Sequence, residues 1–171
     1  MEELVLLKAP YFHLAVGEKS YLQKVSSIFD DVGDESVFVG TVEGNKCNTL
    51  EGLFSEFAEA FEFPDYFGYN WAAFDECLND LGWLSSDAYL LLLTDIDKVL
   101  VSSENSFKVL VKTLVRSVGE WTQGRDNDSF PTPPTPFHIV FQCTKEKEDN
   151  VKLKLEQSGL SSIDTIMLPT K

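Results

Sequence analysis

The sequence predicts an α/β domain: a small, mostly parallel sheet of three central strands packed with helices, with added elements at both termini. Three observations carry this. Between residues 37 and 142 the periodic segments run strand, helix, helix, strand, helix, strand. Residues 89–93 are a continuous apolar run of strand length, the mark of a strand buried on both faces. Directly after it, Phe107, Leu110, Val111, Leu114, Val115 and Val118 recur at helical spacing. Strands separated by helices pair in parallel, because a crossover helix returns the chain to the end it left.

The first 35 residues form an N-terminal extension expected to join the fold. Residues 4–7 and 11–16 read as short strands around Pro10, and 20–29 as a helix; Gly33, within the acidic stretch 30–34, then breaks the pattern. Residues 37–42 are a β-branched and aromatic run closed by Gly44 and Asn45, hence a strand. Thr49 is an N-cap, and Leu50, Leu53, Phe54, Phe57 and Phe61 follow at helical spacing. That helix stops before Pro64, because a residue ahead of proline is pushed out of the helical region. A second helix spans 70–81, with Asn70 as its cap. After the buried strand comes the helix 104–121. Residues 123–136 hold Gly124 and four of the seven prolines and form a surface loop. Residues 137–142 make the third strand, and the domain so described spans 36–144. Residues 145–171 add a helix over 150–158, with Gly159 as its C-cap, and an edge strand over 163–168.

The chain has 171 residues, 43% hydrophobic and 25% charged, which suits one globular domain with a sizeable core. Twenty-eight acidic residues against fourteen Lys and Arg give a net charge of −14 and a pI near 4.4. Such a field repels nucleic acid and anionic membranes and speeds encounter with basic proteins. Its distribution is more telling. Residues 47–97 contain no Lys or Arg but eleven acidic residues, from Glu51 to Asp97. The same stretch is rich in Phe, Leu and Trp, so it folds rather than trailing as an acidic tail. Cys47, Cys77 and Cys143 are odd in number and include no CxxC pair, which argues against a zinc ribbon or a thioredoxin-like site. Glu2 and Glu3 carry the wrong sign for a secretory leader, and no apolar run approaches a membrane span. The expectation is a cytoplasmic protein with reduced thiols, no cofactor and no metal.

The segment 63–84 carries the functional signal. Pro64 and Gly68 bracket a tight connection that presents Tyr66, Phe67 and Tyr69. Turning the helix from Asn70 at 100° per residue puts Trp71, Phe74, Cys77, Leu78 and Leu81 on one side. Ala72, Asp75, Glu76 and Asn79 point the other way, with Asp80 on the flank. A solvated helix face would look the same, but aromatic anchors beside carboxylates without local cations are what a contact patch for a basic protein requires.

The run Pro64-Asp65-Tyr66-Phe67-Gly68-Tyr69-Asn70-Trp71, followed by Phe74, Cys77, Leu78 and Leu81, resembles the motif of the barstar family. The element order over roughly 36–144 agrees with that resemblance. In that family the corresponding loop and helix plug the active site of the ribonuclease barnase. The resemblance implies a non-enzymatic inhibitor of a basic ribonuclease or nuclease toxin, an immunity protein that works without cofactor and binds neither nucleic acid nor membrane. Tyr66 matches the family's interfacial Tyr, and Gly68 and Asn70 match its loop Gly and Asn. Glu76 stands at the second contact Asp, while Ala72 stands at the first, so that charge is missing. Asp75 replaces an interfacial Trp, and Glu120 is set against a later contact Glu. Losing one partner of a buried charge pair costs roughly 2–5 kcal/mol, so a divergent toxin fits better than barnase itself. The partner-binding set is Tyr66, Gly68, Tyr69, Asn70, Asp75, Glu76, Asn79 and Asp80.

Two other readings are open. An interaction or scaffold domain of the same fold would keep the surface without inhibiting a ribonuclease. An enzyme would use Asp95 and Asp97, just beyond the carboxyl end of the buried strand, to hold magnesium. No Gly-rich phosphate loop, GxSxG or HExxH supports the enzyme, and His13 and His138 read as structural.

Overall fold

The computed structural model describes residues 2–22, 24, 36–126 and 131–169. Its centre is a parallel sheet of β1 (Phe12–Val16), β2 (Val37–Glu43), β3 (Ala88–Thr94), β4 (Phe137–Cys143) and β5 (Asp164–Met167). The order across the sheet is β2-β3-β4-β1-β5, with every neighbouring pair parallel. The helices are α1 (Leu50–Ala60), α2 (Trp71–Asp80), α3 (Glu104–Gln123) and α4 (Glu148–Gln157). The α/β class and the central order of elements are as expected.

The expected sheet of three strands is corrected to five. β1 lies between β4 and β5, with Phe12 opposite Ile139 on one side and His13 opposite Asp164 on the other. All five residues of β1 are buried, because it has a strand on each edge and packing on each face. The expected strand over 4–7 is a 3-10 turn, Glu2–Val5, and Leu6 and Leu7 are each 47% exposed. A short apolar run does not distinguish strand from helical turn. Residues 20–22 and 24 are helical as expected; the rest of the helix placed over 20–29, the break at 30–34 and part of the proline loop lie outside the described residues.

Alternation along the strands divides two apolar layers. Phe12, Leu14, Val16, Tyr89, Leu91, Leu93, Phe137, Ile139 and Phe141 face the main core, shared with α1, α2, α3 and α4. Ala15, Leu90, Leu92 and Val140 face a smaller layer with Leu4 and Leu22. Gly40 in β2 lets the Phe61 ring approach: a Cβ there would stand 2.7 Å from Phe61 Cε2. Cys47, Cys77 and Cys143 are free and buried.

The two histidines are hydrogen-bonded to each other across β1 and β4. His138 Nε2 lies 2.8 Å from the Leu6 carbonyl, which only accepts, so that nitrogen carries the proton. Its Nδ1 then accepts from His13 Nε2 at 3.1 Å. Burial pushes the His138 imidazole below its ordinary value and favours this neutral form.

Candidate functional site

The loop before α2 is shaped from beneath by aromatic packing. The Phe67 amide donates to the Pro64 carbonyl at 2.8 Å, closing the turn that contains Asp65 and Tyr66. Phe67 turns inward against Phe63, 5.0 Å between centroids, and edge-on to Phe54. The three loop aromatics expected at the surface are therefore two: Tyr66 is 71% exposed and Tyr69 56%, while Phe67 is buried. Trp83 ties the far end of the segment by donating its indole N–H to the Phe61 carbonyl at 2.9 Å.

Asn70 fixes the loop to the helix. Its Oδ1 accepts from the Ala73 amide and its Nδ2 donates to the Gly68 carbonyl, each at 3.0 Å. Both ends of this side chain are spent on local shape, so its contribution to the surface is positional. A Cβ at Gly68 would stand 3.0 Å from Asn70 Nδ2 and press on that contact. Tyr69 takes φ 49°, a left-handed conformation that turns the chain into the helix. α2 ends at Leu81, also left-handed.

Along α2, Phe74, Cys77, Leu78 and Leu81 are buried and Trp71 is half-buried. The outward residues split into two rows. Ala72, Glu76 and Asp80 are exposed. Asp75 and Asn79 turn partly under α3: Asn79 Nδ2 donates to the Asp75 carbonyl at 2.9 Å and to its Oδ1 at 3.2 Å. The same carboxylate is ion-paired with Arg116 of α3. Asp75, expected as free charge, is thus engaged within the chain. Arg116 Nε also lies 3.9 Å from Glu120, whose other oxygen is 3.7 Å from Arg125. Glu120 therefore sits between the only two arginines of the sequence. Sequence reasoning missed this clasp, because nothing local to 63–84 signals a cation arriving from α3.

Glu76 and Asp80 have no ion pair among the described residues, nor does Asp65 on the loop. Tyr66 shares their field: its hydroxyl is held above the ordinary value, first by partial desolvation and then by Cys77, Asp80 and Glu76. The structure brings together Tyr66, Glu76 and Asp80 as an exposed aromatic and acidic patch. It places Gly68, Tyr69 and Asn70 on the adjoining loop.

Asp95, at the carboxyl end of β3, is arranged differently. It is buried, takes φ 48°, and receives Lys19 Nζ at 3.0 Å and Lys98 Nζ at 2.9 Å. Its amide donates to Gln142 Oε1 at 2.9 Å, and Gln142 Nε2 donates to the Gly17 carbonyl at 2.6 Å. Burial raises the carboxyl, but the hydrogen bonds from Lys98 and Lys19 outweigh it and hold the group below its ordinary range.

The parallel sheet with its packed helices defines an α/β domain that carries an exposed aromatic and acidic patch on one loop and helix. The sequence profile described as Barstar (barnase inhibitor) matches residues 37–142, well over half of the chain, and the chain belongs to that family. No curated protein sequence matches it. Among solved structures it is similar to the Aeropyrum pernix ORC2 protein in its ADPNP-ADP complexes. That likeness has a TM-score of 0.59 and 14% identity, over 93% of this chain and 42% of that one. It is also similar to Cdc6p from Pyrobaculum aerophilum, with a TM-score of 0.54 and 10% identity over 93% of this chain and 40% of that one. The chain spans less than half the length of either, and at such identities the likeness is one of fold. No helix among the described residues is long and apolar enough to cross a membrane.

Proposed function

We propose that this chain is a non-enzymatic cytoplasmic protein that binds and blocks a basic ribonuclease or nuclease toxin through the acidic loop and helix 63–84. One observation carries the reading: Tyr66 stands clear of the loop beside Glu76 and Asp80, two carboxylates that no described cation neutralises. An exposed aromatic anchor beside free negative charge suits the basic active-site surface of a nuclease. Blocking such a surface needs shape and charge but no catalytic group. The engagement of Asp95 by two lysines supports this, since it withdraws that carboxylate from an Asp95–Asp97 metal pair. Stopped-flow association with barnase and a panel of basic nuclease toxin domains tests the reading. Stoichiometric inhibition of at least one, an on-rate that falls as salt rises, and a roughly hundredfold loss in a Tyr66→Ala, Glu76→Gln double variant are expected. Unchanged binding by that variant sinks it.

A second reading is favoured by Ala72 at the family's first contact carboxylate and by the Asp75–Arg116 ion pair. Both reduce the charge on offer, as expected of a barstar-fold interaction or scaffold domain that no longer inhibits a ribonuclease. It predicts that no basic nuclease is inhibited, while a pull-down from the source organism recovers a partner whose binding survives the double substitution.

A further inference from the structure

Beside the exposed patch lies an open cavity of about 700 Å³. Leu50, Glu51 and Phe54 of α1 bound it on one side, and Tyr69, Asn70 and Trp71 on the other. Tyr69 and Asn70 belong to the contact loop as well, so groove and patch form one continuous surface. The walls are aromatic. The Phe54 and Trp71 rings meet edge-on at 5.1 Å between centroids, and Tyr69 stands more than half exposed at the rim.

Glu51 is the one charged side chain in the lining. It is exposed, has no ion pair among the described residues, and belongs to the stretch without Lys or Arg. A free carboxylate beside the exposed Tyr69 ring and the half-buried Trp71 ring suits a guanidinium, whose plane stacks on a ring while its N–H groups reach the oxygens. A lysine ammonium satisfies the charge but not the stacking. The first-turn amides of α1 and α2 would draw an anion here, but Thr49 Oγ1 and Asn70 Oδ1 occupy one donor each, and Glu51 repels one.

We propose that this groove receives an arginine side chain of the partner protein, as a second anchor beside Tyr66 and Glu76. The proposal rests on the protein-binding reading of the surface 63–84. Its test is a titration of the 15N-labelled 171-residue chain with N-acetyl-arginine amide, read at the indole N–H resonances. Trp83 and Trp121 donate their indoles to the Phe61 and Leu78 carbonyls inside the fold, so Trp71 reports the groove. A saturable shift of Trp71 is expected, with little response to N-acetyl-citrulline amide, the uncharged counterpart. Glu51→Gln, an exposed substitution that leaves the fold intact, is expected to weaken the arginine ligand roughly tenfold. No saturable shift, an equal shift with citrulline, or an unchanged affinity in Glu51→Gln overturns the proposal. Neither Glu51 nor Trp71 enters the nuclease test. Retained nuclease binding with no arginine response therefore removes the groove alone, and an arginine response without nuclease binding supports the groove for a different partner.

Discussion

Two groups of carboxylates in one cation-free stretch meet opposite fates. At the carboxyl end of β3, Asp95 is buried and held by Lys19 from the N-terminal side and Lys98 from the C-terminal side. On the outer face of α2, Glu76 and Asp80 stand in solvent with no described partner, while Asp75 in the neighbouring row is taken by Arg116. Net charge alone does not separate these cases. The charge a partner can use is the charge that flanking elements fail to reach. Asp95 contributes to stability, and Glu76 and Asp80 are free to contribute to association.

Substitutions separate the two groups, in decreasing order of their effect on stability. Asp95→Ala is expected to cost about 2 kcal/mol in urea unfolding, because it leaves Lys19 and Lys98 without their carboxylate and puts Ala in a left-handed conformation. The loss is smaller than for a fully buried pair, since both lysines are about half exposed. Asp95→Asn keeps the backbone preference and isolates the charge. The folded carboxyl lies below the ordinary carboxylate range, so its stabilisation is present above that range and lost as pH falls through the folded value. Asp95→Asn should flatten that acid limb. Asn70→Ala removes the α2 cap and the Gly68 tether, costing about 1 kcal/mol by thermal unfolding and weakening partner binding by more. Arg116→Ala should cost under about 1 kcal/mol, since the arginine is 56% exposed. It frees Asp75, so association with a basic nuclease at low salt should rise about twofold. Glu76→Gln and Asp80→Asn should each change stability by less than about 0.5 kcal/mol while slowing that association. A stability loss there equal to that of Asp95→Ala would erase the distinction.

The sequence showed the central order of elements, the caps Thr49 and Asn70, the buried β3 and the inward side of α2, because each rests on contacts within a few residues. It did not show β1 between β4 and β5, or Arg116 on Asp75. Those pairings join residues 127 positions apart for β1 with β4, 151 for β1 with β5 and 41 for Arg116 with Asp75, and no local period encodes them. One usable signal lay in Phe12, Leu14, Ala15 and Val16, an apolar run of the same kind as β3, interrupted by a His13 whose partner is the other histidine. Phe67 misled in the opposite direction: a turn residue flanked by exposed tyrosines reads as surface, yet its ring fills the space under the turn.

The three cysteines have a practical consequence. Burial pushes the Cys47 thiol up to about 12 and Cys143 to about 11, and raises Cys77 as well, so at neutral pH none offers a thiolate to reagents. They lie on α2, on β4 and beside α1, each sealed by the fold. Iodoacetamide therefore registers opening events rather than surface: its labelling rate in native buffer reads the population of open molecules, with a built-in clock in each of three places.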